Sequence, residues 1–201
     1  MICNMKDIKS VCVFCASSPN TNRVYLDAAF RLGQLLADRG IRVITGGGSM
    51  GLMARVEDGV LDHGGHATAV IPKFMIEAGW LHQGLDDVIS TETMQERKDI
   101  MFRSSDAIIT LPGGCGTLDE LTEVLTMKQL GLLSCPVVIL NTNDYFSLFL
   151  RHLQKQADEG FMMQVFTQMW SVACSPEEAV TRLYEIPEWD TSVGKLPSRH
   201  D

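Results

Sequence analysis

Two glycine-rich turns, each read between a strand and a helix, are where this chain of 201 residues could do chemistry. The first is Pro112-Gly113-Gly114-Cys115-Gly116-Thr117, which follows the apolar run Ala107-Ile108-Ile109-Thr110-Leu111 and leads into Leu118-Asp119-Glu120. Glycines let a backbone approach a ligand closely, and a helix start presents unpaired N–H groups and the positive end of its dipole, which suits an anion such as phosphate. The same residues also read as a capping box, with Thr117 as N-cap and Glu120 three residues on. The two readings are compatible. The second turn is Thr45-Gly46-Gly47-Gly48-Ser49-Met50-Gly51. It lacks the Gly-Lys-Ser/Thr of a nucleotide P-loop. Its glycines at 46, 48 and 51 spell G-x-G-x-x-G, but no ribose-binding acid ends the next strand, Ala69-Val70-Ile71-Pro72.

A third segment, Glu96-Arg97-Lys98-Asp99, opens a helix. By charge alone it is a solvated helix start, with Thr93 and Glu96 as a second capping box. It gains interest because its helix begins at the same edge of the sheet as the Pro112 loop. Other clusters read as structural. In Cys12-Val13-Phe14-Cys15 the two thiols sit three apart in a strand and face opposite ways, so core packing is expected rather than a redox or metal pair. His63-Gly64-Gly65-His66 reads as a helix-end turn, and no metal site is expected. Phe161-Met162-Met163 reads as core or subunit contact.

The elements that must position these turns follow from hydrophobic patterning. Val11–Cys15, Arg42–Thr45, Thr68–Ile71, Val88–Ser90, Ala107–Leu111 and Val137–Leu140 read as strands. Helical spacing marks Val24–Arg39, Met50–His63, Thr93–Ser104, Thr117–Leu132, Tyr145–Glu159 and Pro176–Glu185. Near-continuous apolar strands alternating with amphipathic helices predict an α/β fold: a Rossmann-like, doubly wound parallel sheet with helices on both faces. Ligands of such sheets bind beyond the carboxyl ends of the strands. That places Cys15-Ala16-Ser17-Ser18 beside the three segments above. The longest irregular stretches are Pro72–Asp87 and Gly160–Trp170. No linker composition divides the chain, so residues 1–189 read as one domain and 190–201 as a polar tail.

Composition narrows the partners. The net charge is −8 and the pI about 5.1, whereas nucleic-acid binders are normally basic, so no nucleic-acid partner is expected. No apolar run approaches the roughly 18 residues of a membrane span, and no membrane contact is expected. The six cysteines form no dense framework and the first residues lack a secretory h-region, which together suggest a cytoplasmic setting with free thiols.

Taken together, Cys15-Ala16-Ser17-Ser18, Gly46-Gly47-Gly48-Ser49-Met50-Gly51-Leu52-Met53, Glu96-Arg97-Lys98 and Pro112-Gly113-Gly114-Cys115-Gly116-Thr117-Leu118-Asp119-Glu120 resemble the LOG ("Lonely Guy") family of cytokinin riboside 5′-monophosphate phosphoribohydrolases. Glu123, Gln129-Leu130-Gly131 and Leu140-Asn141 continue the resemblance, which covers about residues 10–185. The chain departs from the family at Gln95, where many members have His, at Ala54, where Gly is common, and at Met127-Lys128, where plant members usually have Trp-Ala. The last departure bears on the preferred base.

The resemblance implies hydrolysis of a nucleoside 5′-monophosphate to free base and ribose 5-phosphate, by a homodimer and with no cofactor. It implies Arg97 and Glu120 as the catalytic pair. It also implies that Gly113, Gly114, Cys115, Gly116 and Thr117 hold the phosphate with Lys98 nearby, and that Glu77, Ser17, Gly47 and Gly48 contact substrate. Members have also been labelled lysine decarboxylases. No motif here supplies a Schiff-base lysine with a partner for a pyridine nitrogen. The alternative is a non-catalytic nucleotide sensor or carrier on the same fold.

Overall fold

The computed structural model describes residues 7–85 and 87–193. Cys3, the first residues of the chain and the tail beyond 193 lie outside the described residues. Seven strands form one sheet: β1 (Ser10–Phe14), β2 (Arg42–Thr45), β3 (Ala67–Pro72), β4 (Asp87–Thr91), β5 (Ala107–Thr110), β6 (Val137–Leu140) and β7 (Ser171–Ala173). Their order is β4-β3-β2-β1-β5-β6-β7, and every neighbouring pair is parallel. Six of the seven are the strands expected from patterning. The seventh has only three residues, too few for a periodicity to register, and exists by pairing Ser171–Ala173 with Val138–Leu140 of β6.

Helices α1 (Arg23–Ala37), α2 (Gly51–Asp62), α3 (Lys73–Glu77), α4 (Met94–Arg103), α5 (Cys115–Gln129), α6 (Ser147–Asp158) and α7 (Pro176–Glu185) connect or follow the strands. The short α3 falls inside the stretch read as irregular between Pro72 and Asp87. A 3-10 turn, Gln164–Gln168, falls inside the second such stretch.

Strand alternation sorts the core into two layers. Val11, Val13 and Cys15 of the β1 region pack with α1, α2 and α7, while Cys12 and Phe14 pack with α4, α5 and α6. Cys12 and Cys15 thus enter opposite faces, as expected of residues three apart in a strand. Both thiols are fully desolvated and their pKa values are pushed up by burial. Helices α1 and α2 cross closely because they meet at glycines: a Cβ on Gly33 would lie 2.2 Å from the Val56 carbonyl oxygen, and one on Gly59 would lie 2.2 Å from that of Phe30. His63 ends α2, with Gly64 at a φ of +67° beyond it and Nδ1 2.7 Å from Asp38. Met162 is buried, whereas Phe161 and Met163 are exposed.

Candidate functional site

The sheet reverses its winding between β1 and β5: the chain steps outward from β1 to β4 on one side and from β5 to β7 on the other. The loops leaving these two strands therefore diverge and open a cleft. The loop after β1 carries Ala16, Ser17 and Ser18, and the loop after β5 carries Gly113 and Gly114. The Gly46–Met50 turn after β2 closes one side of the cleft, which has a volume of about 480 Å³. The three loops are tied together by backbone bonds. Ala16 N–H donates to the Pro112 carbonyl at 3.1 Å and Met53 N–H to the Ala16 carbonyl at 3.1 Å. Gly51 has a φ of +67° and packs so tightly on the Ala16–Ser18 backbone that a Cβ would stand 2.6 Å from the Ser18 carbonyl oxygen.

Arg97 and Glu120 meet in the floor of this cleft. Nη1 of Arg97 donates to Oε1 of Glu120 at 2.8 Å, and Nε of Arg97 donates to the Val70 carbonyl at 3.1 Å. Both residues are buried at 6% exposure, and both line the cleft. Burial pushes the Glu120 carboxyl above the usual carboxylate range, while the Arg97 charge and hydrogen bond pull it back. The site thus holds a desolvated, charge-paired carboxyl lining a cavity, which makes it a candidate functional site.

The capping box read at Thr117 and Glu120 is not formed. Helix α5 begins two residues earlier, at Cys115, with Gly114 as its N-cap. Thr117 lies inside the first turn, buried, with its side chain against Gly113: a Cβ there would stand 2.0 Å from Thr117 Oγ1. Glu120 consequently sits in the second turn, too far along to reach back to the helix start, and pairs with Arg97. At α4 the box is half formed. Thr93 Oγ1 accepts from Glu96 N–H, but Glu96 reaches back to the N–H of Glu92 instead of Thr93.

Of the remaining expected residues, Ser17, Gly48, Gly114, Gly116 and Thr117 line the cleft. Cys115 is exposed beside them, and Gly113 is buried behind them. Gly47 has a φ of +68° and lies against Ala69, where a Cβ would approach to 2.5 Å. Lys98 points along α4 to α5, with Nζ 2.6 Å from Glu123 and 3.0 Å from Asp119. Neighbouring helical residues diverge by about 100°, so Arg97 faces the cleft and Lys98 does not line it. Glu77 is exposed at the end of α3 and is not among the lining residues. Lys128 is buried, its Nζ bonded to the Cys135 carbonyl at 2.5 Å and placed over the Trp189 ring, away from the cleft. The rest of the lining is largely apolar and includes Met50, Met53, Ile71, Met75, Trp80 and Met94. These residues come from four segments, and no local pattern in the sequence announces them. Among the described residues no group of three or more His, Cys, Asp or Glu side chains is placed to hold a metal ion.

Comparisons with known proteins agree with this architecture. A family model described as "possible lysine decarboxylase" matches residues 53–183. The chain is 37% identical over 197 residues to the Arabidopsis thaliana cytokinin riboside 5′-monophosphate phosphoribohydrolase LOG2, covering 96% of this chain and 92% of that protein. It is 40% identical over 189 residues to LOG7 of the same plant, covering 94% and 87%. The Oryza sativa subsp. japonica LOG protein is 38% identical over 186 residues, covering 92% and 77%. Among solved structures, the molybdenum cofactor carrier protein from Chlamydomonas reinhardtii superposes with a TM-score of 0.67 at 25% identity, covering 88% of this chain and 96% of that one. A molybdenum cofactor binding protein from Rippkaea orientalis gives 0.68 at 24%, covering 90% and 99%, and shares the fold. With the four motifs in register and a paired arginine and glutamate in the cleft they enclose, this chain belongs to the LOG family.

Proposed function

We propose that the protein hydrolyses the N-glycosidic bond of a nucleoside 5′-monophosphate, AMP or a cytokinin riboside monophosphate, to free base and ribose 5-phosphate. The observation that carries this reading is the Arg97–Glu120 pair, 2.8 Å apart and desolvated in the cleft beside the α5 N-terminus. The first N–H groups of a helix have no partners within it, and those of α5 offer the 5′-phosphate a seat at Gly114, Gly116 and Thr117. The ribose then extends toward Glu120, and the base lies against the methionine- and tryptophan-lined wall.

In the reaction the C1′–N bond breaks and its electron pair leaves with the base. Positive charge develops on the ribose, as in glycoside hydrolysis. The Glu120 carboxylate stabilises that charge and takes one proton from the water whose oxygen bonds to C1′. The departing base nitrogen takes up a proton from solvent water, and the hydroxide left is neutralised by the proton Glu120 took, which restores the carboxylate. Arg97 fixes the carboxylate and keeps its charged form accessible. Phosphate binding away from C1′ lowers the barrier by holding the sugar in place.

Quantifying free base released from AMP and from adenosine tests the reading. AMP is expected to be turned over with far higher kcat/KM, because adenosine has nothing to place on the α5 N-terminus. Equal values would remove the phosphate's role. Nucleotide binding without base release would make the protein a carrier, as the name of its Chlamydomonas reinhardtii structural neighbour describes for the molybdenum cofactor.

The reading extends to a homodimer. Leu130 and Leu132, just beyond α5, are 63% and 68% exposed, with Met127 and Leu133 only partly covered beside them. Burial of this surplus apolar surface against a second copy accounts for it. Among the described residues Cys12, Cys15, Cys115 and Cys174 are free thiols, which supports a reducing, cytoplasmic setting.

A further inference from the structure

The phosphate-binding loop is held from behind by a residue that does not line the cleft. The phenolic hydroxyl of Tyr145 donates to the Gly113 carbonyl at 2.7 Å. Gly113 is buried and immediately precedes Gly114, the N-cap of α5. The other carbonyl of this turn, that of Pro112, accepts from Ala16 N–H. With both carbonyls tied and Thr117 wedged against Gly113, the peptide units that follow have little freedom to rotate.

Tyr145 is itself held in an unusual way. The chain reaches it through Asn143 and Asp144, whose φ values are +51° and +57°; among the described residues these are the only non-glycine positions with positive φ. Two successive non-glycine residues in the left-handed region persist where the surroundings over-determine them. Here the surroundings are specific. Asn141 Oδ1 accepts from Phe146 N–H at 2.6 Å, directly after Tyr145. The Tyr145 ring packs edge-on against Tyr25 and Phe146, with centroids 5.8 Å and 5.1 Å away. Asn143 Nδ2 bonds the Tyr25 hydroxyl at 3.4 Å. Despite these contacts Tyr145 remains 45% exposed, so burial of its ring does not account for the strained approach. Its hydroxyl contact with Gly113 does.

We propose that Tyr145 is a positioning residue for phosphate: its hydroxyl fixes the Gly113 carbonyl so that the Gly114–Thr117 amides face the cleft. This inference rests on the phosphate-dependent reading of the site given above. It makes a turn on the strand-β6 side part of the substrate-recognition machinery, with no atom of Tyr145 touching the ligand.

The test compares Tyr145→Phe with Tyr145→Leu in the full chain, using AMP as substrate and orthophosphate as competitive inhibitor. In Tyr145→Phe the KM for AMP and the Ki for orthophosphate are expected to rise together by about tenfold. The kcat at saturating AMP should stay within about threefold, and the melting temperature close to wild type. Tyr145→Leu should weaken orthophosphate by the same factor, because it loses the same hydroxyl, while losing more thermal stability. An unchanged Ki in Tyr145→Phe overturns the proposal. So does a much larger loss of phosphate affinity in the Leu variant, since the ring and not the hydroxyl would then hold the loop. If the wild type neither cleaves AMP nor binds orthophosphate, the proposed function falls and this inference falls with it. If the wild type does both and the Phe variant matches it, only this inference falls.

Discussion

The guanidinium of Arg97 occupies the space that a side chain on residue 46 would need: a Cβ built on Gly46 stands 2.1 Å from Nη2 and 3.2 Å from Cζ. The first glycine of the Gly46–Gly48 turn is therefore a matter of room for the Arg97 side chain, and not only of turn geometry. Arg97 cannot simply swing aside, because Val70 and Glu120 hold its other nitrogens. Gly46→Ala is expected to lower kcat by about 10²-fold while costing about 1–3 kcal/mol of stability, the usual range for overpacking a tight site. A Cβ on Gly48 would instead meet the Met53 sulfur at 3.0 Å and Ser17 Cβ at 3.8 Å, so Gly48→Ala should leave Arg97 in place. Similar turnover in wild type and Gly46→Ala would mean that Arg97 has another productive position.

Glu120 carries the clearest prediction on chemistry. In the proposed reaction Glu120 must be ionised to take a proton, and burial raises its pKa. The kcat should therefore rise with pH through a midpoint above that of an ordinary carboxylate, and fall as the pH drops below it. Glu120→Gln should lose about 10²-fold or more in kcat and lose this acid limb with it. Gln can still accept from Arg97 but leaves a buried charge uncompensated, so stability should drop by about 3 kcal/mol. The measurement is kcat against pH for both proteins, taken well below their melting temperatures. An acid limb that survives in the Gln variant would assign it to another group.

Glu57 predicts a pH-dependent stability. It lies on α2 with no exposed surface. Its Oε1 accepts from Thr45 Oγ1 at 2.5 Å, and its Oε2 is buried without a hydrogen-bond partner. Desolvation raises its pKa from 4.5 to about 8. A carboxyl that holds its proton in the folded state and loses it in the unfolded one stabilises the fold fully below the unfolded pKa. That contribution is lost as pH rises through the folded pKa, here between about pH 4.5 and 8. At about 1.4 kcal/mol per unit the loss is on the order of 4 kcal/mol by the top of this window. The melting temperature of the wild type should fall across it, and that of Glu57→Gln should fall less. Parallel curves would show that Glu57 does not hold its proton in the fold.

The exposed leucines beyond α5 predict the assembly. Sedimentation at micromolar concentration should give a dimer for the wild type and a monomer for Leu132→Asp. The change places a charge on a side chain that is 68% exposed in the single chain, so the melting temperature of the protomer fold should move little. A monomeric wild type would leave this apolar surface to another partner.

What could be read without the structure was whatever depends on neighbours in the chain. Six of the seven strands and the long helices announce themselves by apolar periodicity, because burial on one face or both is written into residues two or four apart. The two glycine turns likewise announce themselves as breaks between such runs. The pairing of Arg97 with Glu120 was legible only through the resemblance to LOG proteins. From spacing alone, Glu96 to Lys98 read as a solvated helix start and Glu120 as a cap.

Tertiary structure decided those questions. Beginning α5 at Cys115 instead of Thr117 moved Glu120 out of capping reach, and the return of the chain from β4 across the sheet to β5, beside β1, set α4 against α5. The side chains that meet there are 23 residues apart in sequence. The apolar wall, the room left at Gly46, the desolvation of Glu57 and the reach of Tyr145 to Gly113 share this property. Each is a contact between segments whose separate patterns carry no trace of the other, so only the strand order and the packing of helices across it could bring them about.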